Sequence, residues 1–176
     1  MLLLARYMVA AMPSERFVDA LNAQVTKEFA AAHQYTAIAT YYSDKTWPRL
    51  AAFFYEQADE EREHALKMVN YLLDTNSPVN MEGVPQPKTQ FPDHVAPIRL
   101  ALEQEKSVTV SISELVGIAR ETNDYRSEQF LDWFLEEQTE EESSMSDLLD
   151  VAERTEAVPM LLEEYLARET PGAKAD

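Results

Sequence analysis

The chain contains no cysteine, and only three of its 176 residues are glycine. Without thiols there is no disulfide framework, no thiolate-bound zinc or iron–sulfur cluster, and no cysteine nucleophile. Basic residues are also few: 15 Lys and Arg stand against 32 Asp and Glu, a formal net charge of −17. Phosphate backbones are bound by clustered Lys and Arg, so this balance argues against a nucleic-acid binder and makes cations the more natural partner. No apolar run approaches the ~20 residues that cross a bilayer. The longest, over residues 1–12, is interrupted by Arg6, and its basic residue follows the apolar run, the reverse of a secretory leader. Residues 1–13 therefore read as an extension, disordered or the product of an early start ahead of Met12, with a targeting role as the alternative. With neither membrane span nor leader, the expected location is the cytoplasm.

What is present is enough apolar residue for one real core, 45 % of the chain, expected over residues 14–169 with a tail at 170–176. The prolines divide it. Pro13, Pro48, Pro97 and Pro159 each open a long proline-free stretch, a position where the missing N–H would be unpaired anyway. Pro78, Pro85, Pro87 and Pro92 crowd into one segment. The spacing predicts long helices over 14–43, 48–74, 96–123 and 125–153, and a short one over 159–168. Stretches of ~28 residues would be ~42 Å long. The joint over 75–95 could extend ~66 Å, enough to travel the length of a bundle. The other joints are short and imply antiparallel neighbours. No β-alternation is visible, so the expected class is all-α: a four-helix bundle with one long crossover between the second and third helices and a short fifth helix.

Each long helix has an apolar stripe at helical spacing, and each stripe is interrupted by a carboxylate. The first runs Phe17, Leu21, Val25, Glu28, Ala32, Tyr35, Ala39, Tyr42; the second Leu50, Phe54, Gln57, Glu61, His64, Met68, Tyr71. The third runs Ile98, Leu102, Glu105, Thr109, Ile112, Val116, Ala119; the fourth Leu131, Phe134, Gln138, Glu141, Met145, Leu148, Ala152. Steps of three and four keep each Glu on the face its apolar neighbours occupy. One such Glu would be an ordinary surface residue on a wide polar face. Four at mid-bundle, with His64 one turn beyond Glu61, need positive charge, because a buried unpaired carboxylate costs several kcal/mol or turns neutral. Their four charges balance two divalent cations, and a donor set of oxygens plus one imidazole suits Fe or Mn better than Zn or Cu. Glu61 and His64 form the Glu-x-x-His pair found in di-iron carboxylate bundles. His33 and His94 lie off the stripes and are expected at the surface.

These motifs, Asn22-x5-Glu28-x6-Tyr35, Glu60-Glu61-Arg62-Glu63-His64, Gln104-Glu105, and above all the run from Phe130 to Glu142 with Trp133, Glu137, Gln138, Glu140 and Glu141, resemble those of the non-haem bacterial ferritins. The resemblance covers about residues 14–168. It implies a homo-oligomeric shell of 24 subunits that oxidises Fe(II) with dioxygen or hydrogen peroxide and stores a ferric mineral. It implies that Glu28, Glu61 and His64 hold a first iron, with Glu61 bridging, and that Glu105 and Glu141 hold a second. Gln138 would hydrogen-bond a bound oxygen species or a ligand. Tyr35 and Trp133 resemble the redox-active aromatics beside such centres, with core packing as the equal alternative. Glu60, Glu137 and Glu140, together with Glu141, resemble a third iron site; the alternative is a solvated acidic face.

Two departures from related families sharpen the expectation. Bacterioferritins and symmetric di-iron oxidases repeat Glu-x-x-His on the fourth helix, where this chain has Gln138-x-x-Glu141. Iron in the second position would then be held more loosely and passed on. Bacterioferritins also place a haem-ligating Met directly after the bridging Glu, where this chain has Arg62, so haem is not expected. The rivals to storage are a di-iron oxidase or peroxide-scavenging bundle, a metal-free interaction bundle, and the DNA-protecting mini-ferritins. The fifth helix, with its apolar side, is expected at a subunit contact, or as a cap on its own bundle.

Overall fold

The computed structural model describes residues 12–169, and the extension before Met12 and the tail after Glu169 lie outside the described residues. Five helices follow one another: α1 (Glu15–Asp44), α2 (Pro48–Asp74), α3 (Ala96–Glu121), α4 (Tyr125–Arg154) and α5 (Met160–Glu169). Among the described residues there is no strand, and no helix is long and apolar enough to cross a membrane.

Helix limits follow local chemistry. Ser14 caps α1, its hydroxyl accepting from the Phe17 N–H at 3.2 Å, so Pro13 precedes the helix instead of starting it. Asp124 caps α4 by accepting from the Ser127 N–H at 3.1 Å. The scarcity of glycine shows at the opposite ends. Helices α1, α2 and α3 stop at residues with positive φ, Thr46 (61°), Asn76 (53°) and Asn123 (54°). The next N–H then reaches back to close the last turn: Trp47 to Tyr42 O at 3.0 Å, Ser77 to Leu72 O at 2.8 Å, and Asp124 to Ala119 O at 2.9 Å. This stop ends α3 at Glu121, two residues before the position expected from the apolar pattern. Asn tolerates the left-handed conformation; Thr46, with its branched Cβ, is strained there.

The segment between α2 and α3 climbs back along α1. Its course is fixed by side chains of α1 that pair with its backbone. Asn22 donates to Pro78 O (3.0 Å) and accepts from the Asn80 N–H (2.7 Å). Gln34 donates to Lys88 O (2.9 Å) and accepts from the Lys88 N–H (2.8 Å). Farther on, the hydroxyls of Tyr41 and Tyr42 donate to Asp93 O and His94 O at 3.1 and 2.6 Å. Anchors at both ends and the middle of α1 make this the long crossover the loop length predicted. At the far end α5 folds onto its own bundle. Leu162 and Leu166 enter the core, and the Glu163 carboxylate accepts from the Arg49 and Leu50 N–H groups at 2.9 Å each. It thereby supplies the N-terminal cap that α2 lacks in its own sequence.

The core comes in two apolar halves. One contains Tyr35, Ile38, Tyr42, Phe54, Ile98 and Met145, the other Phe17, Leu21, Val25, Met68, Ile112 and Phe134. Along every long helix the chain passes from one half to the other through a carboxylate. Glu28 lies between Val25 and Tyr35, Glu61 between Phe54 and Met68, Glu105 between Ile98 and Ile112, and Glu141 between Phe134 and Met145. The bundle is thus built around one polar layer.

Candidate metal centre

In that layer Glu28, Glu61, Glu105, Glu141, His64 and Gln138 are all buried; Glu28 and Glu105 are each only 1 % exposed. The imidazole of His64 sits between two carboxylates, its Nδ1 3.8 Å from Glu61 Oε2 and 3.7 Å from Glu141 Oε1. Two overlapping donor groups result, Glu28 with Glu61 and His64, and Glu61 with Glu105 and Glu141, the atoms of each group lying within 4.8 Å of one another. Glu61 belongs to both. A third group, His64 with Glu137 and Glu141, includes the half-buried Glu137, which lines a surface recess together with His64.

Some carboxylate oxygens are held in place by protein donors. Gln24 Nε2 donates to Glu28 Oε1 at 2.8 Å, the Tyr35 hydroxyl donates to Glu105 Oε1, and Gln138 Nε2 donates to Glu105 Oε2 at 3.2 Å. Others have nothing: Glu28 Oε2, Glu61 Oε2 and Glu141 Oε2 are buried and have no hydrogen-bond donor. Among the described residues no Lys or Arg forms an ion pair with any of the four carboxylates. Native interiors rarely leave buried acceptors unpaired, and three on facing helices form a ready site for a divalent or trivalent cation.

The electrostatics of the protein by itself point the same way. Burial, then mutual repulsion with Glu105, Glu28 and other carboxylates, pushes Glu141 up to about 9. Burial raises Glu105 to about 7, against the lowering effect of its bond from Tyr35. Glu61 rises well above the ordinary carboxylate value through burial and the adjacent Glu28 carboxylate. Glu28 rises through burial, offset by its neighbour Glu61 and by the hydrogen bond from Gln24. Burial, with a smaller push from Lys67, lowers His64 to about 4, so its imidazole is neutral and free to act as a ligand. Carboxylates that repel one another in a dry layer become favourable donors once a cation is among them.

The other residues singled out by sequence fall around this layer. Tyr35 is fully buried, and its bond to Glu105 places it directly on the centre. Burial and the surrounding carboxylates hold its hydroxyl well above the usual tyrosine value. Trp133 is half-buried and meets His64 edge to face, ring centres 5.4 Å apart. Gln138 turns its amide onto Glu105 of the neighbouring helix. Glu60 and Glu137 line one recess of about 490 Å³ together with His64 and Trp133. Glu140 does not join them: it is exposed and faces a separate recess beside Phe53, Ser143 and Asp147. His33 is exposed as expected. His94 departs from the surface reading, being half-buried and stacked on Trp47 with ring centres 4.9 Å apart. Gln24 was not singled out; its place four residues before Glu28, one helical turn away, was the available signal.

Comparison with known proteins agrees with this geometry. The family model described as a ferritin-like domain matches residues 18–155. Ferritin BfrB of Mycobacterium tuberculosis is 42 % identical over 163 residues, covering 93 % of this chain and 90 % of that protein. A bacterial non-heme ferritin of Staphylococcus haemolyticus is 38 % identical over 143 residues, covering 81 % of this chain and 86 % of its own. Among solved structures, an open pore ferritin from the archaeon Archaeoglobus fulgidus superposes with a TM-score of 0.84 at 29 % identity, covering 87 % of this chain and 95 % of that one. With its four-helix layer of carboxylates and one imidazole, the chain belongs to the ferritin family.

Proposed function

We propose that this chain is the subunit of an iron-storage ferritin, that residues 14–169 form its functional domain, and that the polar layer is its ferroxidase centre. The observation that carries the reading is the set of three orphaned carboxylate oxygens that share one buried layer with a neutral imidazole in an otherwise apolar bundle. Iron is substrate and cargo here. Glu28, Glu61 and His64 receive one ferrous ion, Glu105 and Glu141 the other, and Glu61 reaches both. Binding drives off the protons that burial and repulsion hold on Glu61 and Glu141, so uptake is coupled to proton release. Dioxygen accepts four electrons and each ferrous ion supplies one; hydrogen peroxide, needing two, is the alternative oxidant. Gln24 fixes Glu28, while Tyr35 and Gln138 fix Glu105. Positioning is thus the role we assign to Gln138, in place of direct contact with a bound oxygen species.

Glu60 and Glu137 lie on the outward side of His64 and form the first step of a path for ferric product. Glu140, on its separate recess, would act farther along that path as a third-site carboxylate. The assembly is a shell of 24 copies in the cytoplasm. Exposed Val158, Met160 and Leu161 around the start of α5 supply apolar area for a subunit contact. Haem has no part in this reading, since Arg62, next to Glu61, is an exposed cation.

The test is ferrous loading of the full chain in air, followed by particle size and iron content. The expected result is a large shell holding many irons per chain, with Glu61→Ala and His64→Ala each reducing ferrous oxidation to the background rate. A monomer or dimer that never takes more than two irons per chain would replace storage by a non-storage oxidase.

A further inference from the structure

Lys67 follows His64 by three residues on α2, and its ammonium lies 3.2 Å from the centre of the Trp133 ring. Carboxylates are within reach of such a side chain. Glu63 stands one turn earlier, and Glu60 and Glu137 line the same recess. Among the described residues Lys67 nevertheless forms no ion pair, and its charge rests on the indole. Trp133 is therefore flanked by a cation on its face and by the edge contact with His64.

Tyr35, the other aromatic at the layer, is set up in the opposite way. Its hydroxyl already donates to Glu105, so a base is in place for the proton a phenol must give up when it loses an electron. An indole that loses an electron first becomes a radical cation. Next to an ammonium 3.2 Å away, even water's full screening leaves enough repulsion for about a tenfold handicap.

We propose that Lys67 is a positioning residue that withholds the Trp133 electron, so that an oxidising equivalent not met by ferrous iron is drawn from Tyr35. This rests on the ferrous-oxidation reading above. The step balances for one ferrous ion and hydrogen peroxide. The O–O bond breaks as the ferrous ion gives one electron and the Tyr35 phenol gives the other. The phenol proton passes to Glu105 and on to one oxygen, and the products are a ferric ion, a neutral tyrosyl radical, hydroxide and water.

The experiment supplies the full-length assembled protein with one ferrous ion per chain and hydrogen peroxide. The radical is identified by freeze-quench electron paramagnetic resonance, and oxidation of the Trp133 peptide is quantified by mass spectrometry. The unsubstituted protein is expected to give a tyrosyl signal that Tyr35→Phe removes. Lys67→Met should add a tryptophanyl component and raise Trp133 oxidation roughly tenfold, both lost when Trp133→Phe is added. Lys67→Arg, which keeps the cation, should behave as the unsubstituted chain. An unchanged radical and unchanged Trp133 oxidation in Lys67→Met would overturn the assignment, as would a tryptophanyl radical dominating the unsubstituted protein or Lys67→Arg behaving as Lys67→Met. If the unsubstituted protein oxidises ferrous iron no faster than background, the ferroxidase reading itself falls, an outcome distinct from any of these.

Discussion

Replacing Glu141 by Gln should make the metal-stripped protein more stable and, at the same time, a poorer binder of iron. In the folded chain burial and neighbouring carboxylates raise Glu141 from 4.5 to about 9. Between those two values the folded state binds a proton that the unfolded state has released, so stability falls as pH rises through the window. At pH 7.5, three units above the unfolded value, this deficit is about 4 kcal/mol; at pH 5 it is under 1 kcal/mol. Gln has the same shape, does not ionise, and offers an N–H₂ donor to the unpaired Oε2 of Glu61. Residual structure in the denatured chain and partial rearrangement of the remaining protons reduce the gain, leaving about 2 to 4 kcal/mol. For a domain of this size that is roughly 5 to 15 °C in melting temperature at pH 7.5.

The assay is a pair of thermal melts, at pH 5 and pH 7.5, on chelator-treated protein at one protein concentration, repeated with ferrous iron under anaerobic conditions. Glu141→Gln is expected to melt higher than the unsubstituted chain at pH 7.5, to differ little at pH 5, and to gain less from iron. The reasoning is refuted if the substitution lowers the melting temperature of the stripped protein at pH 7.5. It is equally refuted if the change is the same size at both pH values, since a packing defect has no reason to titrate.

Gln24→Leu removes the donor on Glu28 Oε1 and should weaken ferrous binding roughly tenfold while leaving the helix content unchanged, measured by anaerobic titration and circular dichroism. Gln34→Leu deletes both bonds to Lys88 and should cost about 1 to 3 kcal/mol, visible as faster limited proteolysis between residues 78 and 94. Thr46→Gly relieves a positive-φ Thr at the end of α1 and should raise stability by about 0.5 to 1 kcal/mol, read from the melting temperature.

The polar layer was legible because a helical period of 3.6 reports which face a residue occupies, and Glu28, Glu61, Glu105 and Glu141 sit in register with residues that have nowhere else to go than the core. All four are buried, whereas Gln57, Tyr71 and Thr109 on the same stripes are only half-buried. Period says nothing about reach across helices. Gln138 lies on the stripe of α4, but the amide points to α3, a direction set by interhelical spacing and by the carboxylate it satisfies. Glu137 and Glu140 look alike in the acidic run, yet one turn of α4 carries them to different recesses. His94 reads as a surface residue from a polar, proline-rich segment; only the path of the crossover lays it on Trp47. Asn22 and Gln34 were likewise invisible as clamps, because a buried amide is recognisable only once the backbone it serves is in place.

The layer is also asymmetric, and the asymmetry follows from one substitution of ligand type. Helix α2 presents a carboxylate and an imidazole one turn apart, whereas α4 presents Gln138 and Glu141 at the same spacing. With Gln138 committed to Glu105, the half of the centre formed by Glu61, Glu105 and Glu141 has only oxygen donors. Two of those carboxyls, Glu105 at about 7 and Glu141 at about 9, regain protons near neutral pH whenever the cation leaves. Protons therefore compete for that half at physiological pH, while the neutral imidazole of His64, lowered to about 4, does not exchange its role with pH. A centre built to keep two metals would gain from a second nitrogen ligand in place of Gln138. On the proposed reading, a centre that must fill, oxidise and empty its second position repeatedly gains from donors that a proton can displace, and the adjoining His64, Glu137 and Glu141 group would receive the displaced ion.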